Sequence, residues 1–295
     1  MTERPHRDTI ALEDARVLSH EAHPGSQQIL RLAAPECARD ARPGQFVHLR
    51  CDPRLALRRP LSIMRADPGT GSIELLYKVV GEGTRRLATR RPGETLSLLG
   101  PIGRPFALHR ERPRPLLIGG GVGMPPMVFL ADALRGEAGW RPFAILGSEV
   151  PFPFDPRPAQ QPVIGLPAEA GAVMPLLEDW GIPNRLSSGQ GFPGCFRGYV
   201  SELAEHWLAA LDASARAEVE VFACGPHPML AAVADLARRW GLPCQVSLEE
   251  YMACGVGGCA GCVVEVRTAE ATAMKRVCVD GPVFEADEVF FQAET

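Results

Sequence analysis

The stretch Cys254-Gly-Val-Gly-Gly-Cys259-Ala-Gly-Cys262 is followed by a further cysteine after fifteen intervening residues. Three cysteines spaced C-x4-C-x2-C, with a fourth beyond them, form the pattern of a plant-type [2Fe–2S] site. The segment is too rich in glycine for a regular helix or strand, so we predict a loop that wraps around the cluster. The predicted metal ligands are Cys254, Cys259, Cys262 and Cys278.

The glycines of this loop have a predicted purpose. Main-chain N–H groups point at a cluster's sulfur atoms only if several residues adopt positive φ, which glycine does without steric cost. The glycines expected to do so are Gly255, Gly257, Gly258 and Gly261. Two alternatives use the same cysteines. One is a four-cysteine zinc site, which favours two C-x-x-C pairs where this segment has one. The other is a group of buried thiols without a metal.

Length, composition and charge set the class of protein. With 295 residues the chain is long enough for two or three domains. Its 46% hydrophobic and 22% charged residues are typical of a globular protein, and every apolar run is too short to cross a bilayer. A formal charge of −4 argues against nucleic acid as a partner. Because the N-terminus has no apolar signal segment, the nine cysteines indicate a reducing compartment, and we expect a cytoplasmic protein.

Residues 8–106 consist of short apolar stretches separated by glycine and proline turns. Many short strands at this spacing predict a small antiparallel barrel. The predicted strands are Gln28–Leu32, Phe46–Leu49, Leu61–Met64, Ile73–Val80 and Thr95–Leu99. The Pro113-Arg114-Pro115 segment is expected to be a linker.

The pattern changes after the linker, because strand-like and helix-like stretches now alternate. Such alternation predicts a Rossmann-like parallel α/β sheet. The predicted strands are Leu116–Ile118, Phe143–Leu146 and Val219–Cys224, and the predicted helices cover Met127–Leu134 and Met229–Trp240. Pro151–Pro167 contains six prolines and is predicted to be a surface loop.

A glycine-rich turn joins the first of these strands to its helix. Its glycines are Gly119, Gly120, Gly121 and Gly123. A strand, a glycine turn and a helix together present free N–H groups to a pyrophosphate, although a tight turn without a ligand has the same sequence. Glu149, after the next strand, can accept hydrogen bonds from a ribose diol and would repel a 2′-phosphate, which favours NAD over NADP. An ordinary surface acid is the alternative.

Cys224 ends the last predicted strand of this region, just before a Gly-Pro turn. Open parallel sheets bind their ligands at the carboxyl ends of the strands, so Cys224 is a candidate to face a nicotinamide. A small buried thiol beside a turn is the alternative.

The barrel region contains three short motifs that are unremarkable singly. Arginine on a strand is usually a surface charge, and closely spaced glycines usually mark a turn. Their joint occurrence, followed by a nucleotide loop, is informative. The motif residues are Arg59, Pro60, Leu61 and Ser62 on one strand, Leu76, Tyr77 and Lys78 on the next, and then Gly83 and Thr84.

These motifs, in this order, resemble the ferredoxin-reductase-like flavoproteins. Together with the four cysteines they look most like the electron-transfer subunits of NAD-dependent (class 1B) dihydroorotate dehydrogenase, over roughly residues 8–290. The resemblance implies that the barrel motifs bind FAD, with Arg59 at the pyrophosphate and Ser62 beside the isoalloxazine ring. It also implies that the glycine turn and Cys224 belong to the NAD side, and that Ser62 and Cys224 are the residues nearest the chemistry.

The resemblance implies three domains. They are an antiparallel FAD-binding β-barrel over residues 1–110, a Rossmann-like parallel α/β NAD domain over 111–243, and a small C-terminal [2Fe–2S] domain over 244–295. Electrons would pass from a flavin-containing partner dehydrogenase, which oxidises dihydroorotate in pyrimidine biosynthesis, through the cluster and FAD to NAD⁺. The partner would form a hetero-oligomer, a heterotetramer by resemblance, without nucleic acid or membrane.

Two residues separate this family from related ones. Leu61 stands where other ferredoxin reductases have a ring-stacking tyrosine, and Cys278 stands where NAD(P)H:ferredoxin or sulfide/polysulfide reductase small subunits have an aspartate ligand. Both favour the dihydroorotate family. Those reductase small subunits remain an alternative, as does the NAD-side subunit of another dehydrogenase or a hydrogenase. A non-catalytic zinc-binding interaction protein is an alternative of a different class.

Overall fold

The computed structural model describes residues 7–268 and 271–291. Its strands are β1 (Ala11–His23), β2 (Gln27–Ala33), β3 (Phe46–Leu49), β4 (Arg59–Asp67), β5 (Ser72–Lys78), β6 (Thr95–Ile102), β7 (Arg114–Gly120), β8 (Phe143–Gly147), β9 (Arg157–Pro158), β10 (Ala172–Val173), β11 (Asn184–Ser187), β12 (Val219–Cys224), β13 (Cys244–Ser247), β14 (Val263–Arg267), β15 (Thr272–Arg276) and β16 (Val283–Glu285). Its helices are α1 (Pro35–Asp40), α2 (Glu82–Leu87), α3 (Met124–Arg135), α4 (Pro175–Asp179), α5 (Val200–Ala210), α6 (Ala213–Ala217), α7 (His227–Trp240) and α8 (Ala286–Val289).

Internal contacts divide the chain into two compact units. The first, unit 1, consists of Met1–Phe106 and Ser247–Val283, and the second, unit 2, consists of Ala107–Val246 and Phe284–Thr295. The cysteine-rich segment is thus part of the same unit as the barrel. The division into three functional domains stays a prediction.

Unit 1 contains a closed antiparallel barrel with the strand order β1-β2-β5-β4-β3-β6. The predicted antiparallel barrel is confirmed. Its interior is apolar, and side chains such as Leu30, Leu32, Ile73, Leu75 and Leu98 have no exposed surface. Each buried side chain of this size contributes about 1.5–3 kcal/mol relative to an exposed one.

The longest strand, β1, was not among the predicted strands. Its sequence contains alanines and acidic residues and few β-branched residues, so its local strand preference is weak. The strand forms because it pairs along one side with β2 and along the other with β6. Tertiary pairing therefore decides its conformation.

The cysteine-rich segment of unit 1 has little regular structure. Residues 253–259 form bends, and the antiparallel pair β14 and β15 follows. The Val277–Val279 stretch, which the sequence suggested as a second flanking strand, lies in a turn that begins where β15 ends. The N–H of Val277 donates to the carbonyl of Cys262, which ties this turn to the end of the loop.

Unit 2 contains a six-stranded sheet with the order β11-β8-β7-β12-β13-β16. The β11–β8, β8–β7 and β7–β12 pairs are parallel, as predicted. The predicted linker is wrong in part, because Arg114 and Pro115 are the first residues of β7 and pair with Val219 and Glu220. The proline-rich segment contains only the two-residue strand β9, which pairs with β10.

None of the helices in the described part of the chain is long and apolar enough to cross a membrane.

Candidate functional site

The predicted flavin motifs lie where β4 and β5 separate. The pairing of these two strands runs from Asp67↔Ser72 to Ile63↔Leu75. Beyond that point, the Arg59–Ser62 part of β4 pairs with β3, and the Leu76–Lys78 part of β5 pairs with β2. Within the described residues, both motifs therefore flank an opening in the barrel wall.

The Arg59–Ser62 stretch is partly exposed, whereas the next two residues of β4, Ile63 and Met64, are buried. This change of burial within one strand shows that the motif residues, Arg59, Pro60, Leu61 and Ser62, have surface available to a ligand. Ser62 pairs with Phe46 of β3.

Arg59 and Gly83, 24 residues apart in the sequence, are in contact. A methyl group at position 83 would lie 2.6 Å from Nε of Arg59 and 3.0 Å from its Cζ. Nη1 of Arg59 donates to the carbonyls of Leu57 and Arg58, which leaves further guanidinium donors for an anion. Because Gly83 has no side chain, the main chain comes close to the guanidinium of Arg59. A close main chain beside a guanidinium fits the binding of a flavin pyrophosphate.

Thr84 stabilises the turn that carries Gly83. Its Oγ1 accepts hydrogen bonds from the N–H groups of Val80 and Gly81, at 3.0 and 3.1 Å, and donates to the carbonyl of Gly81. Thr84 therefore holds the start of α2 against Arg59.

Two of the three residues of the β5 motif have buried side chains. Leu76 and Tyr77 are 3% and 2% exposed, so their side chains belong to the barrel core. Nδ1 of His20 donates to the carbonyl of Arg90, and Nε2 of the same ring is hydrogen-bonded to the Tyr77 hydroxyl at 2.9 Å. A ligand would meet the main chain of these residues and the partly exposed Lys78.

The four predicted metal ligands are brought together as two neighbouring pairs. The Cys254 side chain lies beside that of Cys259, and the Cys262 side chain beside that of Cys278. Two irons bridged by sulfides require two thiolates each, so a paired arrangement fits a [2Fe–2S] cluster.

Main-chain donors surround the outer pair of thiols. The N–H of Val256 lies 3.4 Å from Sγ of Cys254, and the N–H of Gly261 lies 3.4 Å from Sγ of Cys259. Burial opposes ionisation of Cys254, but N–H donors, Val256 first, lower the pKa of its thiol to about 7. A depressed thiol pKa favours the thiolate that binds iron.

The inner pair is shielded from solvent. Cys262 and Cys278 are each 3% exposed. Burial, followed by the neighbouring Cys262 thiol, raises the pKa of Cys278 to about 12. Without iron this thiol would be neutral, so metal binding must displace its proton.

The prediction about the loop glycines is right for two of the four. Gly255 and Gly257 have φ of 71° and 84°, whereas Gly258 and Gly261 do not adopt positive φ. Ala260, with φ of 52°, takes the left-handed conformation instead. At Gly257 a methyl group would also collide with Val279.

Two residues near the loop were missed by sequence reasoning. Nη1 of Arg276 donates to the carbonyl of Gly257 at 2.9 Å. His48 on β3 has no exposed surface, and a methyl group at Gly255 would lie 2.7 Å from its Nδ1. Burial, followed by the charge of Arg58, lowers the pKa of His48 to about 4. Neither residue has a local signal, because the sequence does not encode which distant segments meet.

In unit 2 the glycine turn and Cys224 are adjacent. Gly119 of β7 pairs directly with Cys224 of β12. A methyl group at Gly123 would collide with the main chain of Cys224 and Gly225. β7 is the point where strand order reverses between β8 and β12, which is where open α/β sheets bind nucleotides. Cys224 itself is only 1% exposed.

Helix α3 starts directly after this turn, but Pro125 and Pro126 lie in its first turn and carry no N–H group. The donors available for a pyrophosphate therefore come from the turn. A side chain at Gly121 would meet no atom within 4 Å, and φ of this residue is 55°. A side chain at Gly120, by contrast, would collide with Sδ of Met229.

Glu149 lies two residues beyond the end of β8, at the same edge of the sheet. Its Oε1 accepts from the N–H of Gly189 at 3.2 Å, and its Oε2 accepts from Nε2 of Gln190 at 3.0 Å. These bonds fix the orientation of the carboxylate, and each oxygen keeps a further lone pair for a hydroxyl group.

Comparisons with known proteins agree with both halves of the site in unit 1. The model of the iron–sulfur cluster binding domain of dihydroorotate dehydrogenase B matches residues 249–290, and the model of the oxidoreductase FAD-binding domain matches residues 11–106. The dihydroorotate dehydrogenase B (NAD(+)) electron transfer subunit of Caldanaerobacter subterraneus subsp. tengcongensis is 32% identical over 277 residues, covering 94% of this chain and 98% of that protein. The chain belongs to this family. The electron transfer subunit of Geobacillus kaustophilus is 36% identical over 253 residues, covering 84% and 86% of the two chains.

Solved structures show the same architecture. The NADH-dependent reduced ferredoxin-NADP oxidoreductase matches with a TM-score of 0.75 and 26% identity, covering 93% of this chain and 89% of that chain. The ferredoxin reductase of carbazole 1,9a-dioxygenase, at 22% identity and a TM-score of 0.61, covers 79% and 67% and shows the shared fold. The predicted family, the FAD and [2Fe–2S] cofactors and the flavoprotein oxidoreductase class are confirmed. The ferredoxin or polysulfide reductase and zinc-protein alternatives are not favoured.

Proposed function

We propose that this chain transfers electrons between a flavin-containing dihydroorotate dehydrogenase partner and NAD⁺, through a [2Fe–2S] cluster and FAD. The observation that carries the proposal is that one compact unit contains both the opening beside Arg59 and the four paired cysteines. The relatives' name includes both the dehydrogenase and NAD(+).

The cofactors would supply complementary chemistry, since a cluster carries single electrons, a flavin carries one or two, and a nicotinamide accepts a hydride. The chain's residues bind and orient them. The guanidinium of Arg59 neutralises phosphate charge, and Ser62 presents a hydroxyl at the opening between β4 and β5. The buried Cys262 and Cys278 exclude water from one side of the cluster site.

The nucleotide would bind at the carboxyl end of β7. The turn at Gly119, Gly120, Gly121 and Gly123 supplies the main-chain donors, and Glu149 accepts from the ribose hydroxyls. Because a fixed carboxylate repels a 2′-phosphate, we expect a higher kcat/KM for NADH than for NADPH. Cys224, beside Gly119 in the sheet, is the candidate neighbour of the nicotinamide.

The partner subunit would oxidise dihydroorotate, because the motifs of this chain account for electron carriers and for no substrate acid or base. We place the complex in the cytoplasm, in agreement with nine cysteines that form no disulfide.

The test compares Cys262→Ser with Cys37→Ser, a matched change at a buried cysteine on α1 of unit 1, outside the cluster loop. Cys262→Ser is expected to lose the visible iron–sulfur absorption and at least tenfold of the NAD⁺ reduction driven by the partner and dihydroorotate. It should keep FAD and NADH oxidation by artificial dyes. Cys37→Ser should keep both activities. Full partner-driven activity in Cys262→Ser would refute the relay.

A further inference from the structure

His48 is an unusual residue for the interior of this unit. It lies on β3 between Val47 and Leu49, and its side chain has no exposed surface. Neither of its ring nitrogens has a hydrogen-bond partner of normal geometry among the described residues. A neutral imidazole carries one donor and one acceptor, and buried polar groups are nearly always paired.

Other buried polar side chains nearby are satisfied. Gln45, 1% exposed and three residues before His48, accepts from the N–H of Arg42 and donates to the carbonyl of Gly103, each at 2.8 Å. Gln27, also 1% exposed, donates to the carbonyl of Pro24. His23 also has one buried ring nitrogen without a partner, whereas His48 has two among the described residues.

The ring of His48 faces the cluster loop. A methyl group at Gly255 would lie 2.7 Å from Nδ1, 3.2 Å from Cγ and 3.4 Å from Cε1, and the main chains of Cys254 and Arg58 are also near the ring. Gly255 thus has two reasons to be glycine: its φ of 71° and the close approach of the imidazole. The loop that carries the ligands is packed on an unsatisfied polar side chain.

The main chain of His48 touches the other half of the site. His48 pairs with Pro60 in the Arg59–Ser62 motif, and its carbonyl accepts from Nη1 of Arg58 at 3.3 Å. One residue therefore borders both the flavin motif, through its backbone, and the cluster loop, through its side chain.

We propose that His48 is a positioning residue whose imidazole N–H is a hydrogen-bond donor reserved for the cluster site and raises the cluster's reduction potential. The inference rests on the proposed function, because it requires the cluster at Cys254, Cys259, Cys262 and Cys278. A donor directed at this site stabilises the negative charge that reduction adds, and hydrogen bonds of this kind set cluster potentials.

The test is an EPR-monitored redox titration of the cluster in the purified holoprotein. The variants are His48→Phe, which removes the donor, and His48→Gln, which keeps an N–H donor. His23→Phe is the matched control, because His23 is another barrel histidine with a buried ring nitrogen that lacks a partner among the described residues, and it lies on β1, which pairs with β2 and β6. Bound FAD per chain serves as the measure of folding.

We expect His48→Phe to lower the ratio of reduced to oxidised cluster at a fixed solution potential at least tenfold, about 59 mV for one electron. His48→Gln should shift the ratio less, and His23→Phe should leave it unchanged. Equal ratios in His48→Phe and wild type, or an equal shift in His23→Phe, would overturn the inference. If His48→Phe loses its cluster and His48→Gln retains it, the donor role is supported; loss in both variants with FAD retained overturns it. Absence of any [2Fe–2S] signal in the wild-type protein would instead refute the proposed function.

Discussion

Replacing Gly83 by alanine should strengthen the fold and weaken flavin binding at the same time. The added methyl group would lie 2.6 Å from Nε, 3.0 Å from Cζ and 3.1 Å from Nη2 of Arg59. Normal contacts of this kind are about 3.5–4 Å, so the guanidinium must retreat by roughly an ångström. Because it is the end of a flexible side chain, it can do so without disturbing the barrel.

The two effects have opposite signs and separable magnitudes. Gly83 lies inside helix α2 and does not have positive φ, so alanine gains about 0.5–1 kcal/mol of helix preference in the apoprotein. Displacing Arg59 from a phosphate removes a charge-assisted hydrogen bond worth about 1.5–3 kcal/mol. Since 1.4 kcal/mol corresponds to a factor of ten, FAD should bind about 10–150-fold more weakly.

The assay is FAD binding to the apoprotein, by flavin fluorescence, together with urea unfolding of the same preparation. Gly81→Ala is the matched control in the same turn, because a methyl group there meets no atom within 4 Å. Gly83→Ala in an Arg59→Ala background should cause no further loss of affinity. Wild-type FAD affinity in Gly83→Ala, or an equal loss in the Arg59→Ala background, would refute the reasoning.

Two further predictions concern unit 2. Gly123→Ala brings a methyl group against the main chain of Cys224, which cannot move without distorting the sheet. We expect the variant to be destabilised by about 1–3 kcal/mol and to bind NADH at least tenfold more weakly, as measured by calorimetry. The control is Gly136→Ala, where a methyl group meets no atom within 4 Å and neither quantity should change. The hydrogen bond that Nδ1 of His109 donates to the Glu220 carboxylate, 3.0 Å away, raises the pKa of His109 above 6.5. Because the pKa of His109 is higher in the folded state, its protonation stabilises the folded state fully below pH 6.5. This stabilisation is lost as the pH rises through the pKa of the folded protein. His109 is largely exposed, so the difference in unfolding free energy between wild type and His109→Gln should be only about 0.2–1 kcal/mol at pH 5.5 and vanish by pH 9. A constant difference across this range would contradict the ion pair.

Local patterns predicted most of the regular structure. The strands over Phe46–Leu49 and Val219–Cys224 have the predicted bounds, because each is a mainly apolar run, with one polar residue inside it, that is followed by an arginine or a glycine. Strand β1 could not be predicted in this way, since pairing on both sides compensates for its weak local preference. Arg114 and Pro115 were predicted to belong to a linker, but they are the first two residues of β7, and the start of a strand is a place where proline is tolerated.

The candidate site was predictable in its residue types and less so in its contacts. The spacing of the cysteines and the order of the motifs were sufficient to predict which cofactors bind. The contacts of Arg59 with Gly83 and of His48 with Gly255 depend on how the barrel closes, which no local pattern encodes. The cluster loop shows that residue type alone does not predict which residues have positive φ. Ala260 has positive φ, although glycine is the residue type expected in that conformation.

The discontinuity of unit 1 has a consequence for how the protein is made. Residues 107–246 leave the ribosome between the two parts of this unit, and at about 5–20 residues per second their synthesis takes roughly 7–28 s. During that interval the nascent barrel lacks the segment Ser247–Val283, so His48 is without the loop that covers it. A chain truncated at residue 246 would be an incomplete first unit rather than a flavoprotein that merely lacks iron, and iron delivery must follow translation of Cys278.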